Sequence, residues 1–85
     1  MNKKKLLAIV INNPKNVRYV DFVSLIEAFG FELYRTKGSH NIYKHPKVVE
    51  ILNTQNLKGK AKTYQIEQFL DYVEDYGLEM EEYHD

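Results

Sequence analysis

The sequence predicts an α+β fold in the order α-α-β-β-β-α: a three-stranded antiparallel meander with its helices on one face. Three observations predict it. Apolar residues recur at helical spacing near both ends of the chain. The stretch between them consists of short alternating or β-branched runs, joined by connections too short for parallel crossovers. Asn13-Pro14, Gly30, Lys37-Gly38, Pro46 and Gly77 punctuate the boundaries. Eighty-five residues, 44% of them hydrophobic and including 7 Tyr and 4 Phe, suit one small domain, residues 1–85, with a real but limited core.

Residues 3–12 read as a helix ended by Asn13-Pro14, because proline disfavours the α conformation in its predecessor. Lys3, Lys4 and Lys5 stand in its first turn and oppose the helix dipole, so this helix depends on tertiary packing. Val20, Phe22, Val23, Ile26 and Phe29 mark a second helix, with Asp21 in its first turn and Gly30 as its stop. Residues 31–36 alternate Phe31 and Leu33 with Glu32 and, less cleanly, Tyr34, as a strand does. Lys37-Gly38 turns the chain, and residues 39–45 form a second strand that Pro46 ends. Residues 48–52 are apolar and β-branched enough for a third. Residues 53–62 are polar and contain Gly59, the composition of a loop. Ile66, Phe69, Leu70, Val73 and Tyr76 lie on one stripe of a last helix, with Thr63 as N-cap and Gly77 as stop.

The formal net charge of zero hides a division. All 12 Lys and Arg lie within residues 1–62, where only Asp21, Glu27, Glu32 and Glu50 oppose them, a net of +8. Residues 63–85 hold the other eight acids and no Lys or Arg, a net of −8. This points to a basic working surface and an acidic end segment. Residues 78–85 look frayed or partner-dependent. Leu78, Met80 and Tyr83 alternate with the acids there, so the segment either floats as a counter-charge or docks on a partner or on the domain itself. The absence of cysteine excludes a disulfide framework and a thiolate zinc site. Lys3-Lys4-Lys5 followed by six apolar residues imitates a signal peptide, but the run ends in Asn12-Asn13-Pro14 and is far too short to span a membrane. The expectation is a soluble, cytoplasmic protein.

His40 and His45 are the histidines of the body of the domain, and they do not read as a metal pair. Five residues apart on a strand, they point to opposite faces, with no cysteine or clustered carboxylates beside them. Gly59-Lys60 is not a phosphate-binding P-loop, since Ala61 stands where Ser or Thr is required. Ser39 and His40 are strand neighbours on opposite faces, a poor geometry for a nucleophile and its base. What remains is His40 beside a glycine turn among Arg35, Lys37 and Lys44. By parity it shares a face with Ile42 and Lys44, and Tyr43 shares the other with His45. If Tyr43 packs inward, His40 looks outward. A surface histidine is ordinarily only polar surface. Here, though, cations disfavour the charged imidazole and leave it neutral, as a base must be, and they offer charge to a phosphate. An imidazole ordinarily titrates near 6.5, so near neutral pH it can take or give the proton of a ribose 2′-hydroxyl.

Residues 27–46, EAFGFELYRTKGSHNIYKHP, resemble the core of HicA-type toxins of bacterial type II toxin–antitoxin systems. Gly38-Ser39-His40 carries the resemblance, together with Tyr43, His45-Pro46, the helix end Gly30-Phe31, and Gly59-Lys60-Ala61-Lys62 leading into a helix. The resemblance covers residues 17–77, leaving residues 3–12 as an extra N-terminal helix and 78–85 as an acidic tail. It implies a double-stranded-RNA-binding-like fold and metal-independent cleavage of mRNA with His40 as catalytic residue, no cofactor being needed. It also implies inhibition by a HicB-like antitoxin covering that histidine. Many relatives carry a second His directly after the first; here Asn41 stands there, so His40 would act alone.

The reading is therefore an endoribonuclease toxin. His40 is the catalytic residue; Arg35, Lys37, Gly38, Ser39 and Lys44 line the phosphate site, and Lys58, Lys60 and Lys62 extend the backbone contact. Its expected partners are mRNA and the antitoxin, with no membrane and no DNA by itself. The alternatives are a non-catalytic RNA-binding module using the same basic face, and a protein-interaction domain without RNA.

Overall fold

Asn2 opens the first helix: its side-chain oxygen accepts the Lys5 N–H at 2.9 Å, satisfying one of the donors that a helix start leaves free. The helix α1 spans Lys3–Asn12 in the computed structural model, which describes residues 2–81. Leu6 and Val10, one turn apart, are its buried face, and it packs against α2, Tyr19–Ala28. Among the described residues the remaining elements are strands β1 (Glu32–Lys37), β2 (His40–Lys44), β3 (Leu52–Leu57) and β4 (Lys60–Ala61), then helix α3 (Thr63–Asp75). The strands form one antiparallel sheet in sequence order, β1-β2-β3-β4. The α+β class and its double-stranded-RNA-binding-like architecture hold. No helix among the described residues is long and apolar enough to cross a membrane.

The helices α2 and α3 end in the same way. Gly30 donates to the Glu27 carbonyl and Phe31 to that of Ile26; Gly77 donates to Glu74 and Leu78 to Val73. Each pair of bonds is a Schellman motif, and each returns an apolar residue to the core, Phe31 at 2% exposure and Leu78 at 7%. Gly30 is required twice over: its φ is +94°, and a Cβ there would meet the His45 ring at 3.1 Å. Phe69 of α3 is the hub of the interior. Its ring meets Phe22, Phe29 and Phe31 edge-on, at centroid separations of 5.8, 5.5 and 6.0 Å.

The structure differs from the sequence expectation at several points. The strand expected at 48–52 is not one: Val48 is buried, but Val49 is almost fully exposed, and the chain becomes extended only at Leu52. The loop expected at 53–62 contains the third strand instead, LNTQNL, and a fourth of two residues. Its polar side chains make specific hydrogen bonds, Asn53 to His40, Thr54 to Tyr19 and Gln55 to Ser39, although Gln55 Oε1 is buried without a partner among the described residues. Thr54 is fully buried and hydrogen-bonded to Tyr19 and Asn41, so the inward-facing polar residue of a strand without an apolar alternation is satisfied. Lys58 and Gly59, at φ +52° and +87°, close the β3–β4 hairpin as a type I′ turn does. Lys62, not Thr63, is the N-cap of α3, and it makes no side-chain cap. In α2 the buried face is Tyr19, Phe22, Leu25 and Ile26, and Val20 is exposed.

The acidic end is also not frayed as far as Glu81. Leu78 is buried, Met80 packs on the core, and the Glu81 N–H donates to the Ala28 carbonyl at 2.8 Å. Tyr83 and the last acids lie outside the described residues. Truncation after Gly77 is expected to cost about 1.5–3 kcal/mol from Leu78 alone, by urea unfolding. An unchanged midpoint would show that the run is not anchored.

Candidate functional site

Gly38 and Ser39 are the two residues between β1 and β2, and Lys37 pairs directly with His40. Gly38 has φ +61°, as the first position of a type II′ hairpin requires. Among the described residues nothing lies within 4 Å of where its Cβ would stand, so the demand for glycine is conformational and not steric. The turn makes His40 the first residue of β2. Tyr43 is buried and Asn41 bonds to Tyr19 of α2, so these two point toward the helices. His40, Ile42 and Lys44 therefore occupy the opposite face, as the inward packing of Tyr43 requires.

On that outer face His40 lies between Lys37 of β1 and Gln55 of β3. Its Nδ1 is 3.0 Å from Oδ1 of Asn53. The Gln55 amide donates to the Ser39 hydroxyl at 3.1 Å, which ties the hairpin tip to β3. Arg35 pairs with Ile42, and so shares the face with Lys37 and His40. The fold thus brings together Arg35, Lys37, Gly38, Ser39 and His40. Lys44 is on the same face but four residues along the strand, roughly 13 Å away. Its ammonium sits 4.4 Å from the centroid of the Tyr34 ring, at a bulge in β1. The expected basic loop is divided among three elements. Lys58 is at the β3–β4 tip, which lies at the same end of the sheet as Gly38-Ser39, because His40 pairs with Gln55. Lys60 bonds to the Asn16 side chain at 2.7 Å, and Lys62 sits 5.8 Å from the Tyr64 ring centroid.

A family model described as the HicA toxin of bacterial toxin-antitoxin matches residues 19–72. The chain belongs to the HicA toxin family. The match runs from the start of α2 into α3, so it contains the whole sheet and the His40 hairpin. Comparison with curated proteins and with solved structures finds no match.

Beneath the hairpin, this HicA chain has a closed ring of hydrogen bonds that the sequence did not reveal. The Asn41 amide donates to the Tyr19 hydroxyl at 2.9 Å, Tyr19 to the Thr54 hydroxyl at 2.8 Å, and Thr54 to the Asn41 carbonyl at 2.8 Å. Thr36 donates to the remaining Asn41 oxygen at 2.8 Å. The ring joins α2, β1, β2 and β3 directly behind the outer face, so the residue following His40 is a clamp for the sheet. Thr54→Val is expected to cost about 1–3 kcal/mol, because it leaves buried partners unsatisfied at unchanged volume. A thermal midpoint equal to wild type would show that the ring does not contribute. Asn53, Gln55 and Thr54 were missed for one reason, the reading of their segment as loop. The signal available was a second Lys-Gly turn, Lys58-Gly59, echoing Lys37-Gly38.

His45 is different from His40. Its Nε2 is 2.9 Å from the Phe29 carbonyl, and its Nδ1 accepts the Lys47 N–H at 3.0 Å. Its ring also meets Phe31 edge-on at 5.0 Å. Both nitrogens are engaged by backbone, so His45 is a joint between β2 and the end of α2. The groove beside it, lined by Glu32, Glu79 and Glu81 among others, lies at the other end of β2 from His40. Tyr76 reaches from α3 to the Glu50 carboxylate, and this hydrogen bond holds that carboxyl below its ordinary range. The molecule is therefore polarised, with cations around the two hairpin tips and carboxylates around the ends of α2 and α3.

Proposed function

We propose that this HicA family member is an endoribonuclease toxin that cuts mRNA without a metal ion, with His40 as the general base. The observation that carries the reading is an imidazole at a hairpin tip, on an outer sheet face shared with Arg35 and Lys37. His40 takes the proton of a ribose 2′-hydroxyl, the 2′-oxygen attacks phosphorus, and the P–O5′ bond breaks. The 5′-oxygen leaves with a proton returned by the imidazolium or by water, giving a 2′,3′-cyclic phosphate and a 5′-hydroxyl. Arg35 and Lys37 hold the phosphate and offset the charge that develops on it. Gly38 and Ser39 let the backbone approach it, Lys44 and Lys58 meet phosphates further along the strand, and Lys60 and Lys62 lie at the margin of this track. The substrate places the protein in the cytoplasm. The test is cleavage of a defined RNA with and without EDTA and analysis of the product ends. Absence of cleavage from pH 5 to 9, or its abolition by EDTA, would sink the reading. The second reading, an RNA-binding module without chemistry, is favoured by the Tyr34–Lys44 pair, a platform for a base and its phosphate that needs no catalyst. His40→Ala separates the two.

As a family member of this kind, the protein has a HicB-type antitoxin as its partner. The simplest block is steric cover of a small basic site, so the antitoxin contacts residues 37–44 and presents acidic or polar groups there. Lys37→Glu is expected to weaken the complex by about tenfold or more, through repulsion at a desolvated contact. A complex that leaves residues 37–44 open and still binds RNA would exclude this arrangement.

A further inference from the structure

We propose that Asn53 is the positioning residue of the site, setting which ring nitrogen of His40 carries the proton and therefore which one is free to act as base. The proposal rests on the reading of His40 as general base, and it names the neighbour on which that chemistry depends.

Asn53 pairs with Ile42 across β2–β3, and His40 pairs with Gln55. The two side chains are thus diagonal neighbours on the outer face, where cross-strand contacts of this reach are made. The contact is between His40 Nδ1 and Asn53 Oδ1, at 3.0 Å. An amide oxygen only accepts, so the proton of this hydrogen bond is on Nδ1. Nε2 is left with its lone pair, and no hydrogen bond to it is formed among the described residues. This is the tautomer a base acting through Nε2 requires, and the partner of the other nitrogen is what selects it. Gln55, the other amide at this position, donates its NH₂ group to Ser39, and its Oε1 makes no hydrogen bond among the described residues, so the ring contact that is formed is the one to Asn53.

The choice of an amide also has a chemical consequence. The charged groups beside His40 on its face are Lys37 and Arg35 from β1; Lys58 is at the neighbouring β3–β4 tip and Lys44 is at the far end of its own strand, and β3 contributes the neutral Asn53 and Gln55. A carboxylate at position 53 would orient the ring equally well but would favour the imidazolium. Asparagine orients the ring without adding that charge.

The experiment records the ¹⁵N resonances of the His40 imidazole in the free protein, beside cleavage kinetics and RNA affinity of wild type, Asn53→Ala and Asn53→Asp. The wild-type spectrum is expected to show Nδ1 protonated and Nε2 bare above neutral pH. In Asn53→Ala the Nε2–H form should become the major one. Its kcat should fall about 10- to 100-fold, the size found when the hydrogen-bond partner orienting a metal-bound histidine is removed, with RNA affinity unchanged. Asn53→Asp should restore the Nδ1–H form and most of kcat at high pH. Its acid limb should move to higher pH, because a carboxylate on Nδ1 holds the ring protonated longer. A wild-type ring protonated at Nε2, or an Asn53→Ala protein with unchanged tautomer and kcat, would overturn the proposal. Failure of the underlying reading is distinct: His40→Ala would then retain cleavage, while the wild-type spectrum still decides whether Asn53 orients the ring.

Discussion

Replacing His40 with alanine is expected to lower RNA cleavage by about 10²–10⁴-fold, the range for loss of a general acid–base group, and to abolish toxicity. The protein should remain folded. His40 is half-buried on the outer face, and its side-chain hydrogen bond to Asn53 contributes roughly 0.5–1.5 kcal/mol by the general scale for such bonds. RNA affinity should change little, since Arg35, Lys37 and Lys44 are untouched. The informative control is His45→Ala, with the opposite pattern. It removes a ring held by the Phe29 carbonyl and packed on Phe31, so stability should fall while the folded fraction still cleaves. Cleavage assays and thermal unfolding on both variants decide the matter. If His40→Ala no longer unfolds cooperatively, His40 is a structural residue and the assignment of the site fails.

The second large effect is on the fold itself. Phe69→Ala should destabilise the protein by about 3–5 kcal/mol, as removal of a fully buried aromatic ring does. Phe69 has no solvent exposure and meets three other phenylalanine rings, so no neighbour is free to collapse into the space. For a chain of this length the whole stability is on the order of 5–15 kcal/mol, so the loss is a large share of it. The melting temperature is expected to fall by roughly 10 °C or more, since 1 kcal/mol corresponds to about 4–8 °C in a domain of this size. Cleavage at growth temperature should fall in proportion to the unfolded fraction and recover on cooling, although Phe69 is remote from His40. A midpoint within about 4 °C of wild type would show that the aromatic cluster is not the stabilising centre inferred here.

Local pattern alone determined a good deal of this protein. The bounds of α1, Lys3–Asn12, follow from a short apolar run closed by Asn13-Pro14. The ends of α2 and α3 follow from Gly30 and Gly77, and the first hairpin from Lys37-Gly38. With the hairpin came His40 and the cations beside it, and the outward orientation of His40 followed from parity once Tyr43 was buried. These features are legible because each depends on residues within a few positions: a residue before proline, a glycine at positive φ, a period of two or 3.6.

Only the tertiary structure decided the rest. LNTQNL lacks the apolar alternation of a strand and becomes one because Thr54 bonds to Tyr19, 35 residues away, and Asn53 to His40, 13 residues away. The apolar run at 48–51 looks like a strand but pairs with no strand among the described residues. The acidic end is anchored because Leu78 completes a Schellman motif and Glu81 reaches Ala28. Position 53 became a candidate part of the site in the same way. Hydrophobic periodicity records how each residue divides between water and core. It does not record which polar group will meet which, and those pairings exist only once separate segments are brought within 3 Å of one another.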